Sequence, residues 1–145
     1  MKKILLITLA LNFGYTQCDA SNWQDYYPNM QGCDLSGANL NGANLTYADL
    51  SYANLSGANL ESASVHQSNL TGADLSYVSA SGFYMRQANF TDANLSYANL
   101  NYIQGGEGNY LRANFSWAVL TNIPNMSYSD NSFIQANFYG ADFSS

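Results

Sequence analysis

Basic residues are scarce. Lysine and arginine together number four in 145 residues, and the formal charge is −6. A sequence-nonspecific nucleic-acid binder neutralises phosphates with such residues, so direct nucleic-acid binding is not expected. One histidine and two cysteines cannot supply a standard zinc set. Two cysteines are also too few for a miniprotein built on disulfides. The apolar run at the N-terminus, Ile4 to Leu11, falls short of the roughly 20 residues that span a membrane. What the chain does have is apolar residues, at 47%, which is too many for ordinary disorder.

Met1-Lys2-Lys3 ahead of that run is the pattern of a secretory signal peptide. Residues 1–20 are therefore expected to direct export to a bacterial periplasm or medium. Small residues at both ends of Cys18-Asp19-Ala20 suit cleavage before Ser21. Tyr15-Thr16-Gln17 is a poor lipobox, which argues against lipid anchoring at Cys18. Cleavage after Ala20 would leave two arginines against nine carboxylates, a formal charge of −7. It would also leave Cys33 as a small buried apolar residue. If Cys18 is kept, an oxidising compartment permits a Cys18–Cys33 bridge. The alternative for residues 4–11 is that they form the first apolar element of the domain.

From Cys33 the chain reads in fives: CDLSG, ANLNG, ANLTY, ADLSY, ANLSG, and on to AVLTN. Eighteen units share one register from residue 33 to 122. The first place is Ala in twelve of them, and the third is a large apolar residue in all but two, Ala80 and Gly105. A period of five suits neither an α-helix nor a flat strand. It suits a coil that corners once per unit and buries its interior against neighbouring coils. This A-(D/N)-L-X-X pattern resembles the pentapeptide repeat family. The resemblance implies an all-β, right-handed quadrilateral β-helix, with four pentapeptides per coil and about five to six coils, a rod roughly 25–30 Å long.

Residues 20 apart should then stack. The inward columns are Leu35/Leu55/Leu75/Leu95/Phe115 on a first face, Leu40/Leu60/Ala80/Leu100/Leu120 on a second, Leu45/Val65/Met85/Gly105 on a third, and Leu50/Leu70/Phe90/Tyr110 on a fourth. Val78 and Ile103 restore the bulk that Ala80 and Gly105 lack. The third face is the irregular one. A bulge or widening is expected there, worst at Gly105–Gly108, where three glycines allow positive φ. Residues 21–32 read as an N-terminal cap in which Trp23, Tyr26 and Tyr27 cover the first coil. Residues 123–130 break the register by three. Residues 131–145 resume it with Phe133, Phe138 and Phe143 in the Leu place.

Outward, Tyr77, Tyr97 and Trp117 should form an aromatic ladder, and Asp92 should meet Arg112. With Tyr47, Tyr52 and Tyr102 these rings form a candidate interaction surface for a protein or, by stacking, a carbohydrate. Phe133, Phe138 and Phe143 mark an apolar end for end-to-end homodimerisation or a partner. Glu61 and His66 could serve as an acid–base pair, but no nucleophile or pocket accompanies them. No catalytic residue, cofactor or metal site is expected, and the Asn/Asp positions read as an amide ladder rather than a calcium string. The expected function is an exported, non-enzymatic interaction or structural module. The alternative, implied by the family resemblance, is a DNA mimic acting on DNA gyrase or topoisomerase in the cytoplasm.

Overall fold

The computed structural model describes residues 17–123 and 131–144. Its backbone is a stack of parallel one-residue bridges at a spacing of 20. On the first face Asp34 pairs with Asn54, then Asp74, Asn94 and Asn114. The second face runs Asn39, Asn59, Ser79, Asn99, Val119. The third runs Asn44, Ser64, Tyr84, Gln104, and the fourth Asn29, Asp49, Asn69, Asn89, Asn109. The chain thus completes one coil every four units, as the repeat predicts.

One unit explains the rest. In residues 53–57, Leu55 N–H donates to the Asn54→Asp74 coil above (Asp74 O, 2.7 Å) and Asn54 N–H donates to Cys33 O below (2.9 Å). Ala58 N–H donates back to Leu55 O at 3.0 Å and closes the corner. Asn54 Oδ1 accepts from Ser56 N–H and Oγ (3.1 and 2.8 Å), which holds the turn open for its own side chain. Asn54 Nδ2 then donates to Asp34 Oδ1 in the coil beneath (3.1 Å). The same amide step recurs at Asn94–Asp74, Asn114–Asn94 and Asn69–Asp49. Each of these Asn and Asp side chains therefore satisfies corner backbone and joins coils.

Ala and Leu places face inward and are almost wholly buried from Met30 to Leu120. Val78 with Ala80, and Phe83 with Met85 beside Ile103, are buried as compensating bulk. Another exchange appears at Gly108 and Tyr110. A Cβ on Gly108 would lie 2.6 Å from the Tyr110 hydroxyl oxygen and 2.7 Å from its ring carbons. Tyr110 therefore fills space that Ala occupies in other units. Its ring stacks between Phe90 (5.4 Å) and Phe133 (4.7 Å), and its buried hydroxyl has no hydrogen-bond partner among the described residues.

That hydroxyl gives a measurable signature. Burial pushes its pKa well above the ordinary tyrosine range. The folded state keeps the proton where the unfolded chain releases it. This contribution is intact below about pH 10 and is lost as pH rises beyond it. Tyr110→Phe is expected to raise stability by about 1 kcal/mol at pH 8 and to flatten the alkaline decline. Urea unfolding at pH 8 and above pH 10 checks both. A loss of stability at pH 8 would mean that the hydroxyl has a partner.

Three expectations change. Positive φ is not confined to the glycines of the third face. It recurs at the last place of unit after unit, including Tyr47 (64°), Tyr52 (58°), Tyr77, Tyr97 and Tyr102 (59°, 59° and 56°) and Trp117 (61°). Within Gly105–Gly108 the positive values fall on Gly106 and Glu107. A left-handed corner lets the chain turn about 90° within two residues, so the fold imposes it wherever a unit ends. Second, the third face does not bulge out of its ladder. Tyr84 still pairs with Gln104. What is lost is the closing bond of that corner, and Gly108 N–H donates instead to Asn131 Oδ1 (2.9 Å).

The third change is at the N-terminus. Cys18 and Cys33 form a disulfide with Cα atoms 4.9 Å apart. Asp19 pairs with Asp34, and Asp34 N–H donates to Cys18 O (3.1 Å). Both cysteines sit at the small inward place of adjacent coils, where coil spacing matches disulfide geometry. The folded body therefore includes residues 18–20, and a boundary before Ser21 would cut it. Lipidation at Cys18 would need the sulfur that the disulfide uses. A one-turn helix, α1 (Trp23–Tyr26), spans two missing faces, with Trp23 and Tyr26 packed against the core. The repeat starts earlier than residue 33: Met30 is fully buried and Asn29 pairs with Asp49. The expected element at residues 4–11 lies outside the described residues, as does most of the register break at 123–130. The three-residue shift itself is visible in the pairs Asn109–Ser132, Asn114–Asn137 and Val119–Asp142.

Candidate functional site

The corner places decide where the outward rings stand. On the corner of the first face, Tyr77 and Tyr97 lie 4.9 Å apart and within 1° of parallel. Tyr97 and Trp117 follow at 6.4 Å and 11°. Tyr139 joins edge-on to Trp117 at 5.3 Å and 89°. Sequence reasoning missed Tyr139 because the three-residue shift puts Gly140, not Tyr139, in the corner place. The Trp117 ring lies over Gly140, where a Cβ would come within 2.5 Å of it.

The other tyrosines do not join this row. Tyr52 is on the corner of the fourth face and covers Gly72, within 2.7 Å of the position a Cβ would take. Tyr47 is on the third, 6.3 Å from the His66 ring. Tyr102 is on the second. The six predicted rings thus divide among four corners, and only Tyr77, Tyr97 and Trp117 form one continuous feature.

This geometry bears on ligand class. A sugar stacks on an exposed ring face. Within the ladder Tyr77, Tyr97 and Trp117 turn faces to one another, which leaves mainly edges outward and, among the described residues, one face of Tyr77 without a ring against it. The rings are nevertheless well exposed, at 65% for Tyr77, 50% for Tyr97 and 48% for Trp117.

Glu61 and His66 have separate engagements. Glu61 accepts from Ser79 Oγ at 2.9 Å and Asn41 Nδ2 at 3.4 Å. His66 Nδ1 lies 2.9 Å from Arg86 O, so that nitrogen carries the proton, and the ring sits between Tyr47 and Tyr84. Arg112 grips Asp92 with Nε and Nη2, both at 2.5 Å, as the spacing predicts. Arg86 pairs with Glu107, which also accepts from Gln87. The hydrogen bonds from Arg112 and Arg86 hold the Asp92 and Glu107 carboxyls below their usual ranges. Among the described residues no group of three or more His, Cys, Asp or Glu could hold a metal ion. No described helix is long and apolar enough to cross a membrane.

At the far end Phe133 stacks on Tyr110 and Phe138 on Phe115 (4.7 and 4.9 Å), both half-buried. Phe143 tilts against Phe138 at 5.6 Å and is 51% exposed.

The Pentapeptide repeats family matches residues 29–67 and 68–101 in eight copies. The chain belongs to the pentapeptide repeat family. A pentapeptide repeat protein from the Arabidopsis thaliana thylakoid lumen is 31% identical over 73% of this chain and 74% of its own, with a TM-score of 0.69. A trypsin-treated variant of QnrB1, a plasmid-mediated fluoroquinolone resistance protein, is 30% identical with a TM-score of 0.68. That match covers 78% of this chain but only 57% of the QnrB1 chain. The pentapeptide repeat protein Rfr23 from the cyanobacterium Cyanothece shares the fold at 20% identity, a TM-score of 0.57 and 98% coverage of this chain. No curated protein sequence matches. The architecture is the right-handed quadrilateral β-helix of this family.

Proposed function

We propose that this pentapeptide repeat protein is an exported, non-enzymatic module that binds another protein through the Tyr77–Tyr97–Trp117 row. The observation that carries export is the buried Cys18–Cys33 disulfide, which suits an oxidising compartment. The lumenal relative supports the same reading. Cleavage would then fall before Cys18 rather than after Ala20. The row carries the binding half of the proposal, since a repeat face needs only small residues at its corners, as Gly37 and Gly57 show. The half-exposed Phe143 ring marks a second contact surface, for a copy of this chain or a partner.

The similarity to QnrB1 favours a second reading, a DNA mimic acting in the cytoplasm. The pairing of Asp92 and Glu107 with arginines counts against it, because it thins an acidic surface already sparse beside DNA's one charge per about 1.7 Å.

Mass analysis of the mature chain in separated cell fractions tests the proposal. The expected species is exported, starts upstream of Cys18, and resists thiol alkylation until reduced. In that compartment it should retain a partner that Tyr97→Gly releases. A full-length cytoplasmic species with reactive thiols would overturn export and make supercoiling inhibition the next assay.

A further inference from the structure

The ladder is closed at one end and open at the other. Corner rings in this fold lean toward the following coil, as Tyr52 does over Gly72 and Trp117 over Gly140. Tyr77 accordingly lies against Tyr97, and its opposite face looks back toward the corners of the two preceding coils. Those corners are Gly57 and Gly37. A Cβ on either would meet nothing within 4 Å. A ring face therefore ends over a ledge two coils deep, about 10 Å at the spacing of a β-ladder. Tyr77 is also the most exposed of the three ladder rings.

The units that form this ledge also carry its charge. In the same two units as Gly37 and Tyr77, Asp34 and Asp74 use Oδ1 for the corner and the amide ladder. Among the described residues, Oδ2 of each accepts no hydrogen bond. The two described arginines are committed to Asp92 and Glu107, so nothing in the described fold neutralises this side of the rod.

We infer that the ledge over Gly37 and Gly57 seats an arginine of a partner polypeptide, its guanidinium stacked on the free face of Tyr77 and paired with Asp34 or Asp74. Arginine is the side chain that is planar, cationic and able to meet a carboxylate in a bidentate fork while lying on a ring. Lysine supplies the charge without the plane. An uncharged aromatic supplies the plane without the charge. The inference rests on the reading of the ladder as a protein-binding row and names the chemistry of its partner.

The test uses the full mature chain labelled for amide NMR, and three probes: a blocked four-residue peptide with two arginines, its lysine counterpart, and adenosine. The arginine peptide is expected to shift Gly37, Gly57 and Tyr77 and to bind roughly three- to five-fold tighter than the lysine peptide, the size of an exposed cation–π contact. Gly57→Tyr should abolish those shifts by extending the protein's own stack into the ledge. The fold accepts Tyr at this corner, as it does at Tyr77 and Tyr97, and an unchanged thermal melt confirms that. Asp74→Asn should weaken binding several-fold. Equal binding of both peptides, equal shifts from adenosine, or binding that survives Gly57→Tyr would each overturn the inference. If a cellular partner still depends on Tyr97 while the arginine peptide leaves Tyr77 unmoved, the interaction reading stands and this occupant falls.

Discussion

Removing the Cys18–Cys33 disulfide is expected to lower unfolding stability by about 3 kcal/mol, the chain-entropy value for a loop of about 15 residues. The two cysteines are 15 positions apart. The loop they close is the N-terminal cap itself, containing α1, Trp23 and Tyr26. In a coil stack each coil rests only on its neighbours, so the loss should appear first at this end. Cys18→Ala/Cys33→Ala is the suitable variant, because Ala is the consensus residue at this inward place and fills it without a new cavity. Denaturant unfolding gives the magnitude. Hydrogen exchange gives the location: Met30, Leu35 and Asp49 amides should lose protection while Leu95 and Phe115 keep theirs. A stability change below about 0.5 kcal/mol would show that α1 is held by packing alone.

Leu75→Ala is expected to cost about 3–5 kcal/mol, the upper range for a buried leucine whose surroundings cannot collapse. Leu75 has no exposed surface and lies between Leu55 and Leu95 in a column held at fixed spacing by bridges on every side. The ladder prevents neighbouring coils from closing the cavity. Phe143→Ala removes a larger side chain but should cost less than about 1.5 kcal/mol, since half of that ring is already in solvent. The contrast, measured by urea unfolding at low protein concentration, tests position against size. If Phe143→Ala proves as costly as Leu75→Ala, the end is covered in solution. Sedimentation of the two proteins would then distinguish a second copy of the chain from closure by its own residues.

The repeat made much of this legible beforehand. Stacking at 20 residues follows from four equal units, so the inward columns, the Asp92–Arg112 pair and the Tyr77–Tyr97–Trp117 row could all be found by adding 20. The three-residue shift was legible too, because Phe133, Phe138 and Phe143 restart the same pattern in a new phase. The corner conformation was not. Tyr47 and Trp117 carry φ values that L-residues usually avoid at a cost of about 1–2 kcal/mol. Sequence alone gave no sign of it, since glycine normally marks such positions and here it fills only some of them. The Tyr47 corner is enforced by Ala48 N–H to Leu45 O and Tyr47 N–H to His66 O, both 3.0 Å, and the Trp117 corner by Ala118 N–H to Phe115 O and Trp117 N–H to Tyr139 O.

Order of this kind divides along a physical line. A periodic sequence by itself determines whatever every unit repeats: which places turn inward, where amides stack, and how far apart coils lie. It does so because each unit meets the same neighbours. What happens once, at an end or a departure from consensus, depends on contacts between unlike segments that no period encodes. Only the tertiary structure placed Cys18 beside Cys33, moved Tyr139 against Trp117, fitted Tyr110 into the space left by Gly108, and left the face of Tyr77 open above Gly57.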